Sequence, residues 1–110
     1  MKYMLMIYDP ADYWDATEDE QTADYEQQVS FSAWLREQGI TFIGEALQSP
    51  TTSTTLRTRD GETTITDGPF IELKEVLGGF YLFDAPDLDA AIAIAKRCPA
   101  ANIELRPVWE

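Results

Sequence analysis

The chain has 110 residues, 45% of them hydrophobic, with 20 acidic against 8 basic side chains, no histidine and a formal net charge of −12. That length suits one domain, residues 1–110, with a modest core. The charge disfavours direct nucleic-acid binding and an anionic membrane surface, because no lysine or arginine cluster offsets it.

A single cysteine, Cys98, permits no intrachain disulfide. The apolar opening Met1–Tyr8 is too short for a signal peptide, and Asp9-Pro10 follows where a cleavage site would need small residues. No segment approaches the roughly 18 apolar residues of a membrane span. The expectation is a soluble cytoplasmic protein.

Residues 2–8 read as a strand. Tyr3, Leu5 and Ile7 alternate with Met4, Met6 and Tyr8, so both faces are apolar and both need cover. Thr17-Glu18-Asp19-Glu20 fits a helix capping box, and the helix is expected to run to Gln38 with Gly39 as its stop. Phe31, Trp34 and Leu35 share one face with Ala23, while Tyr25, Val29 and Ala33 fall on a second side.

A second strand is expected over residues 40–48. Residues 51–58, the Asp60-Gly61 turn and residues 62–66 read as a hairpin. Gly68-Pro69 is turn chemistry, and residues 79–84 are a further strand apolar on both faces. Asp87 caps a short helix with Leu88, Ala91, Ile92 and Ala95 as its buried face, and Pro99 stops it. In a last strand, residues 102–109, Ile103, Leu105 and Trp109 alternate with Glu104, Arg106 and Val108. The order is β-α-β-hairpin-β-α-β, an α+β, ferredoxin-like pattern with an added hairpin. Two helices cover only one face of such a sheet, and a second copy of the chain is the simplest cover for the other.

The run Asp67-Gly68-Pro69-Phe70-Ile71-Glu72-Leu73-Lys74-Glu75-Val76-Leu77-Gly78-Gly79-Phe80 resembles the DGPF signature of the YCII-related family of small bacterial proteins. Lys2–Tyr8, Gly44–Pro50, Asp87–Ala91, Cys98–Ala101 and Ile103–Trp109 are similar to further segments of that family in the same order. The resemblance implies a dimeric α+β barrel. Some relatives carry a His–Asp pair for acid/base chemistry, which a chain without histidine cannot reproduce. The resemblance also suggests an association with extracytoplasmic-function sigma factors.

Several side chains are candidates for chemistry, each with a plainer alternative. Asp67 reads either as a catalytic general base fixed at the mouth of a cleft or as a turn residue bonding nearby amides. Glu72 and Lys74 share a face if their segment is extended, either to hold a polar ligand or as a solvated edge or intersubunit ion pair. Arg106 beside Glu104 is either an anion anchor inside a barrel or half of a salt bridge. Tyr8 and Tyr81 are pocket walls or core, and Phe70 is a pocket wall. Gly78-Gly79 permits a close approach or marks a bulge.

The acidic run Asp15–Glu26 lacks the spacing of a calcium loop, Cys98 fills space at a helix end, and no cofactor motif is present. Two functions remain, beside a third possibility that the signature only locks the dimer. One is a homodimer that binds an unknown small molecule, with lyase- or isomerase-like acid/base chemistry near the signature turn. The other is a non-catalytic regulator that meets a protein of a sigma-factor pathway.

Overall fold

The computed structural model describes residues 1–110 as an α+β fold of antiparallel strands and two α-helices, consistent with the ferredoxin-like pattern. The strands are β1 (Lys2–Pro10), β2 (Phe42–Ala46), β3 (Thr54–Arg59), β4 (Glu62–Asp67), β5 (Glu75–Asp84) and β6 (Asn102–Pro107). The helices are α1 (Glu18–Glu37) and α2 (Leu88–Ala95). Four strands form one sheet in the order β2-β5-β1-β6, and β3 and β4 pair only with each other.

Alternation along the strands decides which side of the sheet meets the helices. Tyr3, Leu5 and Ile7 of β1 are buried with Tyr81 and Phe83 of β5, Phe31 and Leu35 of α1, and Ala91 and Ile94 of α2. Across the sheet, Met4 and Met6 lie opposite Leu82 and Phe80 in register, and Ile43 of β2 lies opposite Leu82. This second face has no helix over it. It is an apolar strip of half-buried Met4, Met6, Tyr8, Phe80 and Leu82, bordered by exposed Ile43.

Local chemistry sets the element ends. Thr17 accepts from the Glu20 N–H at 3.2 Å, Asp87 accepts from the Ala90 N–H at 2.9 Å, and Gly39 leaves α1 at φ +71°. Asp60 and Gly61 both take positive φ, 52° and 81°, as a two-residue hairpin turn requires.

Some expectations are corrected. A 3-10 turn over Pro50–Thr52 takes the start of the expected hairpin, so β3 begins at Thr54. Residues 42–46, rather than 40–48, form β2, and β5 starts at Glu75, earlier than expected. The buried side of α2 is Ala91 and Ile94, continued by Cys98, whereas Leu88 and Ile92 are exposed. Residues 88–95 are apolar at every position but Asp89, so periodicity alone does not single out one buried face. Ala23 lies in the exposed first half of α1. Trp109 is 99% exposed, because β1 begins at Lys2 and the last strand runs off the sheet after Val108 donates to the Lys2 carbonyl.

Candidate functional site

The end of β1 brings together two polar groups with raised pKa values, Asp9 and Tyr13. Ile7 faces Gly79 in register but Tyr8 faces Leu77, so Gly78 is an extra residue on β5, a β-bulge. The Asp9 carboxylate fills the space beside this bulge, and a Cβ on Gly78 would overlap its Oδ2. Glycine thus leaves room for the close approach of this side chain. Gly79 has a separate reason: its Cβ would come within 3.1 Å of the Glu45 carbonyl oxygen of β2.

Past β1, a 3-10 turn over Tyr13–Asp15 brings Tyr13 near Asp9 and near Asp24 of α1. Burial raises the Asp9 pKa above the ordinary 3.8, and the Asp24 charge adds to the effect. Tyr13 is pushed up to about 12, first by burial and then by the nearby Asp24 and Asp9 carboxylates. Two carboxyl groups and a phenol thus come together at one end of the sheet. No group of three or more His, Cys, Asp or Glu side chains is placed to hold a metal ion.

The signature run returns to this same end of the sheet. Ala11 donates its N–H to the Lys74 carbonyl at 2.7 Å, and Pro10 faces Glu75 in register. The segment between Asp67 and Glu75 is irregular rather than extended, so Glu72 and Lys74 are loop side chains, both exposed. Asp67 is the exposed last residue of β4, paired in register with Thr54. Gly68 follows at φ +101°; its N–H donates to the Ser53 carbonyl and its carbonyl accepts from Thr55 Oγ1, each at 2.7 Å. Phe70 is exposed, with the Arg57 guanidinium 4.2 Å above its ring.

Tyr8 and Arg106 belong instead to the open face of the sheet. Arg106 pairs with Glu104, two residues away on the same strand, and Tyr8 lies beside Met6 with its hydroxyl 3.9 Å from the Met6 sulfur. The proposed residues therefore fall into two groups, one on the hairpin and loop, the other on the open face.

Tyr81 is a core residue. Its hydroxyl donates to Gln28 Oε1 at 2.7 Å, and Gln28 Nε2 donates to the Pro99 carbonyl at 3.1 Å. Burial pushes the Cys98 thiol up to about 11, as expected of a space-filling rather than reactive cysteine. An open depression beside this network is lined by Gln27, Ser30, Trp34 and Arg97, with the guanidinium 4.3 Å over the Trp34 ring.

Sequence reasoning missed Asp9, Tyr13 and Asp24. The available signals were a lone carboxylate closing an apolar strand and the paired glycines Gly78-Gly79.

A profile of the family described as the YCII-related domain matches residues 1–110, the whole of the chain. The chain belongs to the YCII-related family. An uncharacterized protein of Rhizobium meliloti (strain 1021) is 48% identical over 65 residues, which cover 54% of this YCII-related chain and 52% of the relative. The chain thus matches about half the length of that curated relative. No helix of this YCII-related domain is long and apolar enough to cross a membrane.

Proposed function

We propose that this YCII-related protein binds a small molecule as a homodimer and that Asp9 is the proton carrier of a cofactor-independent acid/base site. The observation that carries this reading is the half-buried Asp9 carboxylate set against the Gly78 bulge, at the sheet end where the signature loop rejoins β1, where burial and Asp24 raise its pKa. A carboxyl group displaced upward is better matched to proton transfer near neutral pH than one in open water. Asp67, exposed at the hairpin end, takes the role of a polar contact to the ligand, and Lys74 that of an anion anchor, while Arg106 stays paired with Glu104 on the open face, apart from this site.

The dimer is supported by the bare face of the sheet. Met4, Met6, Tyr8, Phe80 and Leu82 form an apolar strip that the chain's own helices leave uncovered, and a second sheet packed about 10 Å away would cover it. With no histidine, lyase- or isomerase-like proton transfer in this chain would rest on carboxylates, lysine or tyrosine.

A thermal-shift screen against a broad metabolite panel, run on wild type, Asp9→Asn and Asp67→Asn, tests the reading. A ligand at 100 times its dissociation constant stabilises the fold by about 2.7 kcal/mol, which for a domain of this size moves the melting point by roughly 10–20 °C. A hit lost in Asp9→Asn supports the site at the end of β1. A hit retained there but lost in Asp67→Asn moves the site to the hairpin. No hit at all favours the second reading, a non-catalytic regulator in a sigma-factor pathway, for which the −12 charge and the affinity of such a surface for a basic protein speak.

A further inference from the structure

The chain exposes more surface than one folded domain of its size should. Its accessible area is 8014 Å², whereas a compact monomer of this mass exposes about 6,100 Å². The radius of gyration is 16.0 Å, against about 13 Å for a compact domain of this length. The excess, about 1,900 Å², is roughly twice what each partner buries in a standard protein interface.

The open sheet face accounts for only part of that excess. Four strands spaced about 4.8 Å apart, each about six residues long at 3.3 Å per residue, span a footprint of about 400 Å². Even with rough side chains, such a face falls well short of the surplus. The β3–β4 hairpin stands outside the sheet, and its strands are exposed at every residue but Thr55.

That hairpin is braced on one side and bare on the other. Arg57 stacks on Phe70 and donates to its carbonyl at 3.1 Å, while Thr55 and Ser53 hold Gly68. The 68–74 loop is thereby tied to the strand that carries Arg57. Leu56 and Ile65 are direct cross-strand partners, and strand alternation places them on the opposite side from Arg57. They are 59% and 67% exposed. An isolated two-stranded hairpin is marginal in water, so this apolar pair needs a surface to rest on.

We propose that the hairpin is an arm that packs its Leu56–Ile65 side against a second copy of this chain, extending the contact made by the sheet faces. The inference rests on the dimer reading above and deepens it. Bracing by Arg57 and Gly68 fixes the arm before docking, so little ordering entropy is lost when it binds. Each dimer then contains two such contacts, related by the twofold axis.

Sedimentation velocity across a dilution series, on wild type and on the Leu56→Thr/Ile65→Thr double variant, is the first arm of the test. Threonine keeps strand propensity while removing the apolar contact. The expected result is a wild-type dimer whose dissociation constant rises about a hundredfold or more in the variant, since two anchors are lost on each arm. Hydrogen exchange on wild type is the second arm and does not depend on the variant folding. Hairpin amides of Thr54–Asp67 should be protected in the dimer and lose that protection on dilution to monomer. A wild-type monomer at every concentration overturns both the arm and the dimer. A dimer whose affinity is unchanged in the variant, or whose hairpin exchanges alike in both states, overturns the arm alone.

Discussion

The Asp9 carboxylate occupies the volume that a Cβ on Gly78 would need. This relationship joins the last polar residue of β1 to the bulge of β5, and it makes the glycine a condition for the carboxylate's position. Gly78→Ala should therefore destabilise the fold by about 1 kcal/mol, at the low end for overpacking because Asp9 can swing aside. Adding Asp9→Ala should return most of that loss. Urea denaturation of the two single variants and the double gives the coupling. Strictly additive effects would mean that the bulge, and not the carboxylate, demands glycine.

Much of the fold was readable because its signals are local. The Thr17–Glu20 capping box and Gly39 bracket α1, Asp60-Gly61 marks the hairpin turn, and the alternation of Tyr3, Leu5 and Ile7 identifies the buried side of β1. The phase of α2 was not readable, since nearly every residue in it is apolar and periodicity offers several faces of similar hydrophobicity. Trp109 was misassigned because nothing in its own strand says where the neighbouring strand begins. The Asp9 cluster depends on a bulge in β5, a turn after β1 and the first half of α1 meeting in space. Periodicity within one element carries no trace of that meeting.

Stability should depend on pH through Asp9. Its pKa is raised in the folded state, so its contribution is fully present below the unfolded value of 3.8 and is lost as pH rises through the folded value. Above its folded pKa, Asp9 is a carboxylate that burial and Asp24 disfavour. Asp9→Asn should then raise the melting temperature at pH 7, and its advantage should shrink steadily as pH falls towards 3.8. Asp24→Asn should let the Asp9 pKa relax towards its ordinary value, a shift that carbon-13 NMR titration of the carboxyl reads directly. An Asp9→Asn gain that is the same at both pH limits would contradict this assignment.

Cys98 should be chemically silent in the native protein. With its pKa pushed up to about 11 by burial, about one thiol in a thousand is ionised at pH 8. Reaction with an aromatic disulfide reagent should be slow in buffer and rapid in urea, its native rate set by opening of the α2 end rather than by reagent concentration. Prompt native labelling would show that the thiol is exposed and activated.

Gly44 should be the least replaceable glycine of the sheet. A Cβ there would overlap Cδ1 of Tyr81, its direct partner across β2 and β5. Unlike Asp9, this neighbour has nowhere to go. The Tyr81 ring packs edge-on against Phe31 with centroids 5.1 Å apart, and its hydroxyl is fixed to Gln28 at 2.7 Å. Gly44→Ala should cost about 2–3 kcal/mol, the upper range for overpacking, and Tyr81→Phe about 1 kcal/mol for the lost hydrogen bond. Thermal or urea denaturation of Gly44→Ala beside Gly78→Ala tests the ranking. A smaller loss at Gly44 would mean that the Tyr81 ring is free to shift, and that the aromatic core around Phe31 is softer than its packing implies.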